Sequence, residues 1–311
     1  MKKTLIISGH PNLSESLANK IIINKFKKDE NITIHDLAEK YPDYKINVEV
    51  EQKLLLKHDI IIFQYPFYWY NMTGILKKWF DDVFTYGFAY GSTGDKLKGK
   101  HFIVSTTVGG WEHSYTPLSF NHFPMAELLK PLEQTAYLAQ MKWEKPIATH
   151  SMVYIPGVYH TKNEVTNRAL DHANGLLQTI ENIRNKKPVV EKFVKNWFAG
   201  LDILEEDTFF LPYINDESNF TMGEDNFSGK DGFKAWYSEI LKLIKPNNTH
   251  NLSNIEIKSK NNIDFDISFE VELIAKTLDD KDFNLKAKEN WEISLGENDT
   301  PIIKSYTAKS L

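Results

Sequence analysis

The chain has 311 residues, 41% of them hydrophobic and 25% charged, with a formal net charge of −5. That length is comfortable for two domains, and the acidic balance leaves no basic footprint for a nucleic-acid partner. The lack of cysteine excludes a disulfide framework, a thiolate metal site and a cysteine nucleophile, and no metal site of another kind is expected.

In chain order, Met1-Lys2-Lys3 would suit the start of a signal peptide, but the apolar run Leu5-Ile6-Ile7 is far too short and stops at Gly9-His10-Pro11. Thr4–Ser8 reads as a buried strand, Ser14–Lys27 as an amphipathic helix and Ile32–Asp36 as a second strand. Val48–Lys57 is helical, Asp59–Tyr65 a strongly apolar third strand, Thr73–Phe84 a helix and His101–Thr107 a fourth strand. Met125–Ala139 reads as a helix, the stretch Pro146–Tyr154 as the fifth strand, and Asn163–Ile183 as the closing helix. This alternation predicts an α/β domain with a five-stranded parallel sheet covered on both faces. No run approaches the roughly 18 apolar residues of a membrane span. The expectation is a cytoplasmic protein without membrane insertion.

At Asn185-Lys186-Lys187-Pro188 the composition turns polar, and the proline discourages helix continuation. The boundary is placed there, giving domains 1–186 and 187–311. Val189–Leu201 and Asp231–Ile244 read as helices. Long strands follow, with near-perfect period 2 from Ile263 to Leu273, then Leu285–Leu295 and Ile302–Thr307. Helices first and antiparallel strands after is an α+β pattern.

Open parallel sheets bind ligands at the carboxyl ends of their strands, near a switch in strand order. The loops after strands one, three and four are the unusual ones here. Gly9–Asn19 is not GxGxxG, which disfavours a nicotinamide-binding Rossmann domain. It supplies hydroxyls and free N–H groups at a helix start, which suits a phosphate, although Ser14 or Ser16 could simply cap the helix. Pro66-Phe67-Tyr68-Trp69-Tyr70-Asn71 is unusually aromatic for a loop. A flat heteroaromatic cofactor explains it, and so does a hydrophobic plug or a subunit interface. Thr106–Tyr115 carries paired glycines, which let backbone approach a ligand or make a plain turn.

Together these segments resemble the NAD(P)H:quinone oxidoreductase family of flavodoxin-like proteins, which includes mammalian quinone reductase, the bacterial modulator of drug activity and the ancillary flavoproteins of glutathione-gated potassium efflux. The matching pieces are Gly9–Asn19, Glu51-Gln52, Pro66–Tyr70, Leu76–Phe84, Gly87–Gly91, Thr106–Tyr115 and Pro131–Thr135. They span essentially residues 1–185. Val108 departs from the pattern, since the family often has glycine directly after the threonines. The resemblance implies a flavin cofactor, FAD with FMN as the alternative, and NAD(P)H as co-substrate. It implies that His10, Ser16, Leu17 and Ala18 hold the phosphate, that Pro66, Phe67, Tyr68, Trp69 and Tyr70 line the ring system, and that Thr106, Thr107, Gly109 and Gly110 close its other edge. Tyr115 and His122 take the catalytic positions, and Tyr90 and Tyr68 face the substrate. The implied reaction is two-electron hydride transfer through flavin N5 to a quinone or related aromatic acceptor, by a ping-pong mechanism in a homodimer. A regulatory ancillary subunit and a bifunctional enzyme with a second, isomerase- or cyclase-like pocket are the alternatives.

Residues 189–311 resemble the SnoaL-like branch of the nuclear-transport-factor-2-like (NTF2-like) superfamily, in the order of helices before a curved sheet and in Thr249-His250…Asn254-Ile255 at a strand start. The resemblance implies an α+β cone around a pocket. In Leu285–Leu295 the apolar positions are odd-numbered and Glu289 shares their parity. An inward Glu289 would have a raised pKa and could pair with His250 as an acid/base site; a register break, or a place at the wet rim, is the alternative.

Overall fold

Runs of isoleucine and phenylalanine with no polar face need cover on both sides, and they receive it. In the computed structural model, which describes residues 2–261 and 263–311, β1 (Thr4–Ser8), β3 (Ile60–Pro66) and β4 (His101–Thr107) are buried along their whole length. With β2 (Ile32–Asp36) and β5 (Lys142–Trp143) they form a parallel sheet in the order β2-β1-β3-β4-β5, and β6 (Ile147–Thr149) also pairs with β4. Side chains alternate between two cores. Leu5, Ile7, Ile61 and Phe63 enter the one completed by Leu55, Leu76 and Trp79 from α3 (Val48–Leu56) and α4 (Gly74–Val83), which follow α1 (Leu17–Asn24) and the single turn α2 (Leu37–Lys40). Ile6, Ile60, Ile62 and Ile103 enter the other, with Ile22 of α1. That second core is closed by Ala169, Leu176 and Ile180 of α7 (Lys162–Arg184), after the shorter α5 (Met125–Leu128) and α6 (Lys130–Leu138).

Three expected elements are corrected. The first helix begins only at Leu17, because Ser16 is extended and its Oγ accepts from the N–H of Asn19 at 3.1 Å; a separate short turn covers Leu13–Glu15. The helix placed over Met125–Ala139 is broken at Leu129, where Pro131 opens α6 without an amide to donate. The fifth strand is split into β5 and β6 around Pro146, and residues 150–154 have left the sheet. Glu51 is fully buried and receives Tyr41 Oη and Trp79 Nε1 at 2.7 Å and His35 Nε2 at 2.9 Å. Burial pushes its pKa up, but the three hydrogen bonds outweigh that and hold it below the ordinary carboxylate value. It ties β2, α3 and α4 together.

The first compact unit ends at Arg184 and the second runs from Asn185 to Leu311. Pro188 sits in the first turn of α8 (Lys187–Ile203), a position where proline starts a helix rather than stopping one. The single turn α9 (Asp207–Phe210) leads to β7 (Ile214–Met222) and β8 (Asp225–Ser228), a hairpin that the sequence pattern did not show. Then come α10 (Gly229–Leu243), β9 (Thr249–Ser259), β10 (Asp264–Lys276), β11 (Asp282–Leu295) and β12 (Pro301–Ser310). The sheet order is β8-β7-β12-β11-β10-β9, antiparallel except where β7 meets β12. Alternation is as expected: Phe265, Ile267, Phe269 and Val271 face in, as do Ala287, Glu289, Trp291, Ile293 and Leu295. The result is a mixed sheet with Phe193, Trp197 and Phe198 of α8 and Phe233 and Tyr237 of α10 packed into the same core. No helix among the described residues is long and apolar enough to cross a membrane.

Candidate functional site

Because β1, β3 and β4 are neighbours, the loops at their carboxyl ends lie side by side, at Gly9–Ser16, Phe67–Asn71 and Val108–Tyr115. At Gly9 an added Cβ would come 2.8 Å from Leu76 Cβ, so only glycine lets the first loop press against α4. His10 is buried, and its Nδ1 accepts the backbone N–H of Asn12 at 3.0 Å. Burial lowers its pKa, with the Asn12 contact working against it, so at neutral pH the ring is neutral and its proton lies on Nε2. The N–H groups of Leu17 and Ala18, in the first turn of α1, have no intrahelical acceptor. Ser8 Oγ, one residue before the loop, is buried without a partner among the described residues. The His10 Nε2 and the two helix-start N–H groups are donors, which fits a phosphate.

The second loop is a tight turn. Tyr68 and Asn71 exchange both backbone hydrogen bonds at 3.0 Å, and between them Trp69 and Tyr70 lie at φ 48 and 62. Two successive left-handed residues define a type I′ turn, which ordinarily takes Asn-Gly. Two aromatics there are strained, and Trp69 is 93% exposed. Tyr70 Oη donates to Asn121 Oδ1 at 3.1 Å, and Asn121 in turn donates to Ser114 Oγ at 2.7 Å, tying the second loop to the third. Pro66 and Phe67 are placed otherwise than expected. Pro66 is buried at the end of β3, and Phe67 packs in the core while its N–H donates to Thr107 O. The exposed aromatic platform is Tyr68, Trp69 and Tyr70 alone.

In the third segment Thr106 Oγ1 donates to the carbonyl of Tyr65 and Thr107 Oγ1 accepts from Asn19 Nδ2 at 3.0 Å. Val108 is buried in the core, so the departure from glycine is absorbed inward. A Cβ on Gly109 would meet Val153 Cγ2 at 2.9 Å, and one on Gly110 would meet Tyr115 Cε2 at 3.2 Å. Tyr115 is half-buried; burial first and the nearby Tyr70 second raise its pKa, so it stays a hydroxyl donor at neutral pH.

His122 sits exposed at φ 58, with no partner for its ring among the described residues, and its neighbour Asn121 is the one tied to Tyr70. The imidazole beside Tyr115 is His150, with ring centroids 5.0 Å apart, and its Nδ1 lies 3.2 Å from the carbonyl of Gly110. Sequence reasoning missed it, because it lies 35 residues downstream on a segment read as strand. Tyr90 lies in a groove between α4 and α6 with Lys77, Phe80 and Leu132, and no contact joins it to Tyr115 among the described residues. Beneath the loops runs a buried polar chain. Ser105 Oγ donates to Gln64 Oε1, Gln64 Nε2 donates to Asn19 Oδ1 at 2.8 Å, and His172 bridges Ser105 and Thr149 at 2.7 and 2.8 Å. Burial pulls His172 down to about 4, so it serves as a neutral link.

The second unit carries a half-open cavity of about 350 Å³ between α8, α10 and the inward face of the sheet. Glu289 and His250 both line it, as expected, but they are not bonded to each other. His250 Nδ1 pairs with Asp202 Oδ1 at 2.6 Å, while Glu289 receives Trp291 Nε1 at 2.8 Å and Tyr306 Oη at 3.3 Å.

The flavodoxin-like fold family matches residues 2–173. An uncharacterized NAD(P)H oxidoreductase of Bacillus subtilis, YdeQ, is 38% identical over 196 residues, which is 62% of this chain and 94% of that protein. The glutathione-regulated potassium-efflux system ancillary protein KefG of Cronobacter sakazakii is 39% identical over 145 residues, 47% of this chain and 79% of that one. The crystal structure of general stress protein 14 from Treponema denticola, solved in complex with FMN, is 35% identical with a TM-score of 0.51, covering 56% of this chain and 97% of that one.

Proposed function

Because the chain belongs to the flavodoxin-like fold family, we propose that its first unit is a flavin-dependent NAD(P)H:quinone oxidoreductase. The observation that carries this reading is the adjacency, at three strand ends, of donors suited to a phosphate and an aromatic turn suited to a planar ring. A flavin bound there would supply two-electron hydride chemistry through its N5 between NAD(P)H and a quinone.

The protein's own work is binding and charge control. His10 Nε2 and the N–H groups of Leu17 and Ala18 hold the phosphate, while Ser16 keeps the helix start in shape by capping Asn19. Tyr68, Trp69 and Tyr70 offer ring faces, and Gly109 and Gly110 let the third loop pack closely against Val153 and Tyr115 at the opposite edge. Tyr115 keeps its proton at neutral pH and directs it at negative charge developing on the ring system. His150, with its ring 5.0 Å from that of Tyr115, positions this tyrosine. The exposed aromatics suit burial against a second copy of the chain, and Tyr90, which no contact joins to Tyr115 among the described residues, then serves its neighbour's site. The FMN complex of the Treponema protein favours FMN over the FAD that the family resemblance implies; chromatography of the flavin released by heating identifies it. For the second unit we read an NTF2-like fold, on the order of helices before an enclosing sheet.

An anaerobic visible spectrum tests the central reading. Oxidised-flavin bands should bleach with NADPH or NADH and return when a quinone is added. If no flavin binds even after FAD or FMN is supplied, the reading is wrong. The similarity to KefG favours one second reading, a flavin-binding ancillary subunit of a transport system, and sustained multiple turnover of quinone would count against it.

A further inference from the structure

The buried polar chain beneath the three loops has a direction. Ser105 Oγ donates to Gln64 Oε1, which can only accept, and Gln64 Nε2 donates to Asn19 Oδ1 at 2.8 Å. Asn19 Nδ2 then donates to Thr107 Oγ1 at 3.0 Å and to Ser16 Oγ at 3.3 Å. A serine hydroxyl carries one hydrogen, so Ser105, having spent it on Gln64, can only accept from His172 Nε2 at 2.7 Å. Burial keeps the His172 ring neutral, with a single proton to place. That proton belongs on Nε2, and Nδ1 accepts from Thr149 Oγ1 at 2.8 Å. Asn19, Gln64, Ser105 and His172 are all buried, so no bulk water breaks the sequence of donors.

The other neutral tautomer would run the same contacts backwards. With its proton on Nδ1, His172 would donate to Thr149 and accept from Ser105, both amides would turn over, and Ser16 and Thr107 would donate inward to Asn19 Oδ1. The two directions differ at the loop end. In the direction present, Ser16 Oγ accepts both the backbone N–H and the Nδ2 of Asn19, so its lone pairs are taken and its hydrogen is left to donate. Thr107 Oγ1 accepts from Asn19 too, and neither hydroxyl donates to any group among the described residues. In the reverse direction each hydroxyl would spend its hydrogen inward and keep a lone pair for the site. An oxyanion beside the Leu17 and Ala18 N–H groups gains from the first arrangement and is repelled by the second.

We propose that His172 is a positioning residue for the loop site: by holding its proton on Nε2 it directs the chain so that Ser16 and Thr107 offer hydrogens rather than lone pairs, which favours a ligand carrying a phosphate. The identity of that ligand rests on the flavin reading, whereas the direction of the chain is a property of the protein by itself. His172 acts only through its neighbours, and through them α7 contributes to binding as well as covering the sheet.

Two measurements on the full-length protein test this. In protein carrying isotope-labelled histidine, magnetic resonance of the ring nitrogens tells the two neutral tautomers apart, and the signals missing from His172→Gln are those of His172. The Nε2–H form is expected with or without flavin, and the Nδ1–H form overturns the proposal. The second measurement is the affinity of flavin-stripped protein for FMN and for riboflavin, which lacks the phosphate, read by quenching of flavin fluorescence. The parent should prefer FMN, and His172→Leu should narrow that preference about tenfold, the scale of one hydrogen bond to a charged group. Ser105→Ala, which cuts the chain at its next member, should narrow it likewise and serves if the leucine variant fails to fold. His172→Gln, whose amide can still donate to Ser105, should restore the preference. Variants that weaken both flavins alike, or leave the preference unchanged, show a merely structural histidine and overturn the proposal. If the parent binds neither flavin, the flavin reading fails, and the tautomer still decides the direction of the chain.

Discussion

The groups that decide the chemistry are few, and each owes its state to its surroundings. Tyr115 keeps its proton because it is half-buried beside Tyr70. Tyr115→Phe should slow reduction of the bound flavin by ten- to a hundred-fold while leaving flavin content unchanged; stopped-flow absorbance reads the rate, and an unaltered rate removes Tyr115 from the mechanism. Glu289 makes a prediction of opposite character, about stability. Its folded pKa of about 8 lies above its ordinary 4.5, so the folded state holds a proton that the unfolded state gives up. That contribution is complete below the unfolded value and fades as pH climbs through the folded one, by about 1.4 kcal/mol for each pH unit between the two. Unfolding of the second unit should therefore become easier between pH 5 and pH 8, and Glu289→Gln should flatten the profile. A parent curve as flat as the variant's contradicts the assignment. Glu289 was legible from parity alone, since a period-2 strand commits every odd residue to one face. His150 was not legible, because what brings it to Tyr115 is the early end of β6, and nothing local marks where an irregular stretch turns.

Among the elements, the long apolar strands and α7 were readable because burial on both faces or a persistent helical stripe leaves a pattern many residues long. The β7–β8 hairpin was hidden by its composition: Asn215, Asp216, Glu217 and Ser218 interrupt any alternation, and Ser218 is buried only because its hydroxyl donates to the carbonyl of Ile303 at 2.5 Å. In the candidate site, the order of the three loops was read correctly, while the turn at Trp69-Tyr70 was not, since aromatic residues carry no propensity for left-handed backbone. That turn should be improvable. Trp69→Asn replaces an exposed residue with one that tolerates positive φ and should stabilise the flavin-free protein by about 1 kcal/mol, as measured by urea unfolding. The same change should weaken flavin retention in equilibrium dialysis. A variant that is no more stable shows that the strain is smaller than the backbone angles imply.

At the scale of the whole molecule, two sets of cores are closed separately. Those of the first unit are built from residues up to Ile183, and that of the second from Val189 onward. A chain ending at Arg184 should fold and keep its flavin, as a visible spectrum and a cooperative thermal transition would show; an insoluble or flavin-free product means that the first unit needs the second. The two sheets also differ in when their central strands are made. β1 is the earliest strand of its sheet and lies in its interior, so later strands can add to a template already present. β12 is the latest strand of its own sheet and lies between β7 and β11. Until Pro301–Ser310 leaves the ribosome, β7 and β11 have no partner on their facing edges, Ser218 lacks the carbonyl of Ile303, and the cavity lacks its Tyr306 wall. During synthesis the first unit can already be folded while the second waits with open strand edges, so a ribosome pausing between Arg184 and Pro301 exposes the chain to aggregation.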